Sequence, residues 1–185
     1  PAIRNMGTIG GNICNASPAG DTLPVLYSLN SRCSVISEGL ERTINIEDFI
    51  YGPRRTVLEK NEMLKSITIP KENFNIVHYE KVGARKASAI SKLSFAGLCN
   101  VENGRVQNLR ISFGAVGVTV VRLKEAENLI IGREINTLDK FIKEGRIDED
   151  YVLKGFPHPS GANGNRKKQY EDNKEKMIKH IKEIF

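Results

Sequence analysis

The chain has 185 residues, 39% of them hydrophobic, which is enough for one sizeable core or two small ones, so length leaves one or two domains open. The formal charge of +6 and a pI near 9.3 would suit an acidic partner, but the basic residues gather at Arg166-Lys167-Lys168 and from Lys174 to Lys182, as on a solvated helix. With aromatics at 6% and no Trp, the stacking platforms and reading helix of a nucleic-acid binder are missing.

Three cysteines, Cys14, Cys33 and Cys99, are too far apart for a CxxC pair and too odd in number for a closed disulfide framework, so a reducing, cytoplasmic compartment is expected. No apolar run has the length of a membrane-spanning helix, and PAIRNMGTIGGN lacks the apolar stretch of a signal peptide, so a soluble protein is expected. The chain opens on Pro1 and enters a Gly-rich motif within ten residues, an arrangement expected of a truncated domain.

In chain order, Gly7 to Asp21 combines four glycines and a proline with small polar residues, which predicts a loop. Leu23 to Leu29 reads as a short helix. Arg32 to Ser37 and Arg42 to Ile46 alternate as strands around a Glu38-Gly39 turn, forming a hairpin. Ile46 to Phe49 reads as a helical turn, and Glu62 to Ile69 as a strand stopped by Pro70. Further strands are predicted at His78 to Val82, Ala89 to Val101 and Val106 to Ala115. The last two meet at Asn103-Gly104, with Leu109, Ile111 and Phe113 on one face. Thr119 to Ile131 has helical spacing and a Gly132 cap, and Leu138 to Lys143 is also read as helix. Gly155 to Asn165 reads as an exposed connector, followed to Phe185 by a basic amphipathic helix carrying Met177, Ile181 and Ile184. Short mixed strands followed by a sheet and helices argue for an α+β class, with a boundary between Pro70 and Ile76.

The chemistry concentrates in Arg4-Asn5-Met6-Gly7-Thr8-Ile9-Gly10-Gly11-Asn12-Ile13-Cys14-Asn15-Ala16-Ser17-Pro18-Ala19-Gly20-Asp21. Gly10-Gly11 would let backbone amides approach a pyrophosphate, and Thr8, Asn12, Asn15 and Ser17 offer short neutral groups to phosphate and ribityl oxygens. Asp21 can accept from sugar or ribityl hydroxyls. The alternative is a glycine-rich turn that merely satisfies its own backbone. The string is neither a Walker loop nor the spaced-glycine dinucleotide fingerprint.

TIGGNICNASPAGDTLPVL resembles the second FAD-binding loop of the flavoprotein subunits of xanthine dehydrogenases, aldehyde oxidases and carbon monoxide dehydrogenases. The resemblance continues through Asp48-Phe49, Gly52 to Leu58, Glu62-Met63-Leu64 and Ile69-Pro70, then through Tyr79 to Lys86 and Ser112 to Val116. It implies the second subdomain of a two-subdomain (PCMH-type) FAD-binding fold over residues 1–72. A CO dehydrogenase flavoprotein C-terminal-like domain with an antiparallel sheet and helices would follow over 76–185. The resemblance carries FAD contacts onto Thr8, Ile9, Gly10, Gly11, Asn12, Asn15, Ser17 and Asp21, with Leu64 an apolar neighbour of the flavin and Lys81 a polar one. Read from the residues alone, Leu64 is a core leucine and Lys81 an exposed lysine at a strand end. The family's first, N-terminal FAD loop has no counterpart, and Tyr170-Glu171 stands where the family usually has Tyr-Arg.

The function so implied is electron transfer. A molybdopterin-binding large subunit oxidises the substrate, a small subunit with 2Fe-2S clusters passes the electrons on, and FAD here delivers them to NAD, with neither nucleic acid nor membrane as partner. A stand-alone FAD-dependent oxidase and a flavin-free docking subunit are the alternatives. No catalytic residue for hydroxylation and no metal ligand set is assigned to this chain. His78, His158 and His180 are scattered, and three dispersed cysteines cannot hold an iron–sulfur cluster.

Overall fold

The structure, a computed structural model, describes residues 5–85 and 89–134. Thr8 begins the first element: with extended backbone at φ −121°, its side chain accepts the amide of Gly11, and helix α1 (Ile9–Asn15) follows. This corrects the expected loop over Gly7 to Asp21. Two adjacent glycines weaken a helix, but the Thr8 cap and burial of Ile13 and Ala16 in the core outweigh that cost. Ala16 ends α1 in the left-handed conformation, and Gly20 donates to the Ser17 carbonyl at 2.8 Å to close the next turn. Helix α2 (Leu23–Ser28) carries Pro24 in its first turn, where a missing amide costs nothing.

The predicted hairpin forms from β1 (Arg32–Ser37) and β2 (Leu40–Asn45), turning through Glu38 and Gly39, both at positive φ. Helix α3 (Ile46–Phe49) leads into two strands too short to have been read from the sequence, β3 (Ile50–Gly52) and β4 (Arg55–Thr56). Strand β5 (Met63–Thr68) then pairs antiparallel with the other edge of β1, giving the order β2-β1-β5. Ile13, Leu23, Val35, Ile46 and Phe49 fill the space between this sheet and the helices, each contributing about 1.5–3 kcal/mol on burial.

The second sheet is antiparallel in the order β6 (Ile76–Gly83), β7 (Ser91–Glu102), β8 (Arg105–Gly114), β9 (Val121–Arg122). Asn103 and Gly104, at φ 51° and 73°, form the tight turn between β7 and β8. Leu109, Ile111 and Phe113 share one half-buried face, where Phe113 meets Phe95 at 5.2 Å between ring centroids. The opposite face, bearing Ser94, Ala96, Arg110, Ser112 and Gly114, is the more deeply buried.

The helix expected over Thr119 to Ile131 is corrected. The β-branched Val121 and its neighbour Arg122 pair with Phe113 and Ser112, leaving a shorter helix α4 (Lys124–Ile130). Gly132, at φ 83°, follows its end. The elements expected at Leu138 to Lys143, Gly155 to Asn165 and beyond lie outside the described residues. Among the described residues no helix is long and apolar enough to cross a membrane.

The buried face of the second sheet packs on α2 through a polar seam. Ser112 donates to the Pro24 carbonyl at 2.6 Å, so Ser28 is the donor in the 2.7 Å contact between the Ser28 and Ser112 hydroxyls. Arg110 donates to the Ser28 carbonyl at 3.1 Å, pairs with Glu72 and lies over the Phe74 ring. Arg122 grips Glu127 with two bonds of 2.9 and 2.8 Å and donates to the Tyr27 carbonyl at 2.8 Å and to Asn30 Oδ1 at 2.9 Å.

Because the Arg122 and Glu127 side chains are 8% and 7% exposed, Arg122→Met would strand a buried carboxylate. It should destabilise the protein by about 3–5 kcal/mol in denaturant unfolding, with part of the loss recovered by adding Glu127→Gln. At Gly114 a Cβ would run into Ser94 Oγ and lie 2.9 Å from Pro24 Cγ and 3.3 Å from the Pro18 carbonyl. Gly114→Ala should therefore cost about 1–3 kcal/mol, read as a lower denaturation midpoint.

Candidate functional site

A cleft of about 550 Å3 opens between residues 7–22 and the approach to β7, where Ala89 and Ile90 form the facing wall. Thr8, Ile9, Asn12, Asn15, Ser17 and Asp21 line it. Helix α1 and its Thr8 cap set the spacing of the first four, and the turn from Ser17 closed by Gly20 brings Asp21 round to them. A Cβ at Gly20 would lie 3.1 Å from the Ser17 carbonyl and 3.2 Å from Asn12 Oδ1, so this turn needs the bare backbone. Asn12 Oδ1 accepts from Thr22 Oγ1 at 2.6 Å, which leaves the Asn12 amino group as its donor toward a ligand.

At Gly11 the expected amide nest meets a helix cap. The Gly11 amide is spent on Thr8 Oγ1 at 2.9 Å, so it is not available to an anion. A Cβ at Gly11 would come within 3.0 Å of that same oxygen, so the glycine keeps the cap intact. Gly10 faces Leu64, whose Cδ2 would lie 3.8 Å from an added Cβ. Leu64 itself is half-buried on β5 and packs against the core beneath α1, apart from the residues that line the cleft.

Lys81, on β6, donates to Asp21 Oδ2 at 2.6 Å. Ser91, the first residue of β7, donates to Asp21 Oδ1 at 2.6 Å, and the Tyr79 hydroxyl donates to the Asp21 carbonyl at 3.2 Å. Burial, and secondarily the Asp21 carboxylate, push the Tyr79 phenol above its ordinary value, so it remains a donor at neutral pH. The Lys81 and Asp21 side chains are 30% and 47% exposed, so their pairing adds only about 0–1 kcal/mol to folding. What the contact does is orient the carboxylate at the cleft and offset part of the lysine's charge.

Ser91, Ala89, Ile90, Thr22 and Gly20 belong to this site beyond the residues singled out from the sequence. Gly20 stands within the motif and was legible as part of its loop, and Thr22 follows directly after it. Ala89 to Ser91 enter from about seventy residues further along the chain, and only the docking of the second sheet reveals them.

Other reactive groups are quiet. Burial raises the Cys14 and Cys99 thiols, and burial followed by the proximity of Cys14 pushes Cys33 up to about 11, so all three stay protonated at neutral pH. His78 is exposed beside Glu80, at 3.7 Å. Among the described residues no group of three or more His, Cys, Asp or Glu is placed to hold a metal.

Comparison with known proteins gives two domain matches. Residues 1–72 match the FAD binding domain in molybdopterin dehydrogenase, and residues 78–143 match the CO dehydrogenase flavoprotein C-terminal domain. The chain is 32% identical over 142 residues to the glyceraldehyde dehydrogenase medium chain of Sulfolobus acidocaldarius, a match covering 77% of this chain and 50% of that one. It is 32% identical over 139 residues to the xanthine dehydrogenase FAD-binding subunit of Escherichia coli O157:H7, covering 74% and 47%. The chain thus spans about half the length of the curated relatives it matches.

Among solved structures, quinoline 2-oxidoreductase from Pseudomonas putida 86 shares the fold with a TM-score of 0.70 at 22% identity, over 92% of this chain and 57% of that one. Carbon monoxide dehydrogenase from Hydrogenophaga pseudoflava gives 0.70 at 22% identity, over 93% and 58%. Residues 1–72 thus belong with the FAD binding domain in molybdopterin dehydrogenase and residues 78–143 with the CO dehydrogenase flavoprotein C-terminal domain, on an α+β fold shared with these structures.

Proposed function

We propose that this chain carries the flavin of a xanthine dehydrogenase-like molybdenum hydroxylase in the cytoplasm. It would receive electrons from iron–sulfur clusters on a small partner subunit, downstream of a molybdopterin-binding large subunit, and pass them through FAD to NAD. The observation that carries this reading is the cleft. It brings short neutral donors, one oriented carboxylate and one lysine together, and it is walled by both matched segments of the chain.

That donor set suits FAD. Thr8, Asn12, Asn15 and Ser17 would meet phosphate and ribityl oxygens, and Asp21 would accept from hydroxyls. Ile9 offers apolar surface at the rim, Gly10 and Gly11 would let the backbone come close to the pyrophosphate, and Leu64 would be an apolar neighbour of the flavin. Lys81, on the sheet side, would stand at the polar edge of the flavin. Bound FAD supplies the exchange between single-electron and hydride transfer, and the protein tunes it through the charges beside it.

Purified from its native host, the intact protein should elute with molybdenum- and iron-containing partners and show a flavin absorbance band. A yellow monomer free of both metals would favour a stand-alone oxidase, and a colourless complex a docking subunit. Lys81→Met in the FAD-loaded protein removes the cation and leaves Asp21 uncompensated. The flavin midpoint potential, read by redox titration, should then fall by tens of millivolts, on a scale where about 30 mV is 1.4 kcal/mol for a two-electron couple. An unchanged potential would place Lys81 away from the ring.

A further inference from the structure

We infer that Ser91 is a positioning residue for cofactor binding, acting by fixing the Asp21 carboxylate so that it can accept from the adjacent hydroxyls of a flavin's polyol chain. The inference rests on the flavin reading above and assigns a role to a residue on the opposite wall from the glycine-rich motif. Three features carry it. Ser91 is 5% exposed, yet its Oγ reaches Asp21 Oδ1 at 2.6 Å. The other oxygen, Oδ2, is held by Lys81 Nζ at 2.6 Å, so the two partners grip both ends of one carboxylate and leave its plane little freedom to turn. Asp21 nonetheless lines the cleft and is 47% exposed, so each oxygen retains a lone pair for a ligand.

The chemistry separates the two grips. Lys81 supplies charge from a long, flexible stem that other positions could also reach. Ser91 supplies direction, because a buried hydroxyl on a strand has one short reach and few rotamers. Its backbone pairs with Gly83 at the end of β6, which anchors the hydroxyl to the sheet rather than to a loop. A neutral donor also leaves the carboxylate's charge undiminished, so the same group can still attract hydroxyl protons. The Tyr79 hydroxyl, on the Asp21 carbonyl at 3.2 Å, holds the backbone of the same residue from the neighbouring strand. Asp21 is thereby aimed from the second sheet while belonging to the first motif.

The test is FAD affinity, measured by quenching of flavin fluorescence on titrating FAD with the intact protein stripped of cofactor. Ser91→Ala should raise the FAD dissociation constant about tenfold, and Ser91→Thr, which keeps the hydroxyl, should stay within about twofold of the parent. Thermal unfolding of the stripped Ser91→Ala protein should match the parent's. Adding Ser91→Ala to Asp21→Asn should weaken binding by less than about twofold beyond Asp21→Asn alone, since both changes act through one carboxylate. The idea is overturned by an alanine variant with the parent's affinity, by equal losses in the alanine and threonine variants, or by full additivity with Asp21→Asn. If Ser91→Ala fails to fold, the threonine variant alone decides, an affinity loss beyond twofold counting against the role. A parent that takes up no FAD would instead sink the flavin reading itself.

Discussion

The arrangement depends on how the carbonyl end of α2 is held. Two arginines from the second sheet, Arg110 and Arg122, donate to the carbonyls of Ser28 and Tyr27. Each carries its own carboxylate, Glu72 or Glu127. The positive charges are thus neutralised where they are buried, and the last carbonyls of the helix gain donors they cannot find within it. Serine hydroxyls complete the seam, and Gly114 lets β8 come close enough to Pro18 for the Ala115 amide to reach its carbonyl at 2.8 Å. Such a seam is directional in a way an apolar contact is not, because each hydrogen bond holds only over a narrow range of distance and angle. It fixes the second sheet against α2 in one position, and that position sets the width of the cleft.

The site inherits its precision from that docking. Helix α1 and the following turn supply neutral groups at close spacing, but on their own they would leave Asp21 with nothing to orient it. The first two strands of the second sheet provide the missing restraint through Tyr79, Lys81 and Ser91. The thiols and the exposed histidine take no part. The geometry is therefore that of a binding cradle.

Much of this was legible in the sequence wherever local chemistry decides the outcome. The Asn103-Gly104 turn, the alternation in β1, β7 and β8, and the stop at Pro70 each have a local cause, and the elements form where those causes place them. The glycine-rich stretch misled because Gly-Gly reads as loop, whereas the Thr8 cap and the burial of Ile13 make it helical. Thr119 to Ile131 misled in the opposite sense. Its apolar spacing fits a helix, but the open edge of β8 was there for Val121 to pair with. The facing wall at Ala89 to Ser91 has no motif at all, since its role exists only once residues seventy positions apart are brought together.

Strand β6 has a further consequence for the chain in solution. Among the described residues it is the outer strand of its sheet, and its eight residues include exposed Ile76, Val77 and Tyr79. An open edge of that composition invites pairing with another chain, the first step of aggregation. The charged pair Glu80-Lys81 interrupts the apolar run, and a lysine is the side chain that natural edges use for this purpose. Position 81 is thus constrained twice, by the carboxylate it holds at the cleft and by the need to keep a free strand edge soluble.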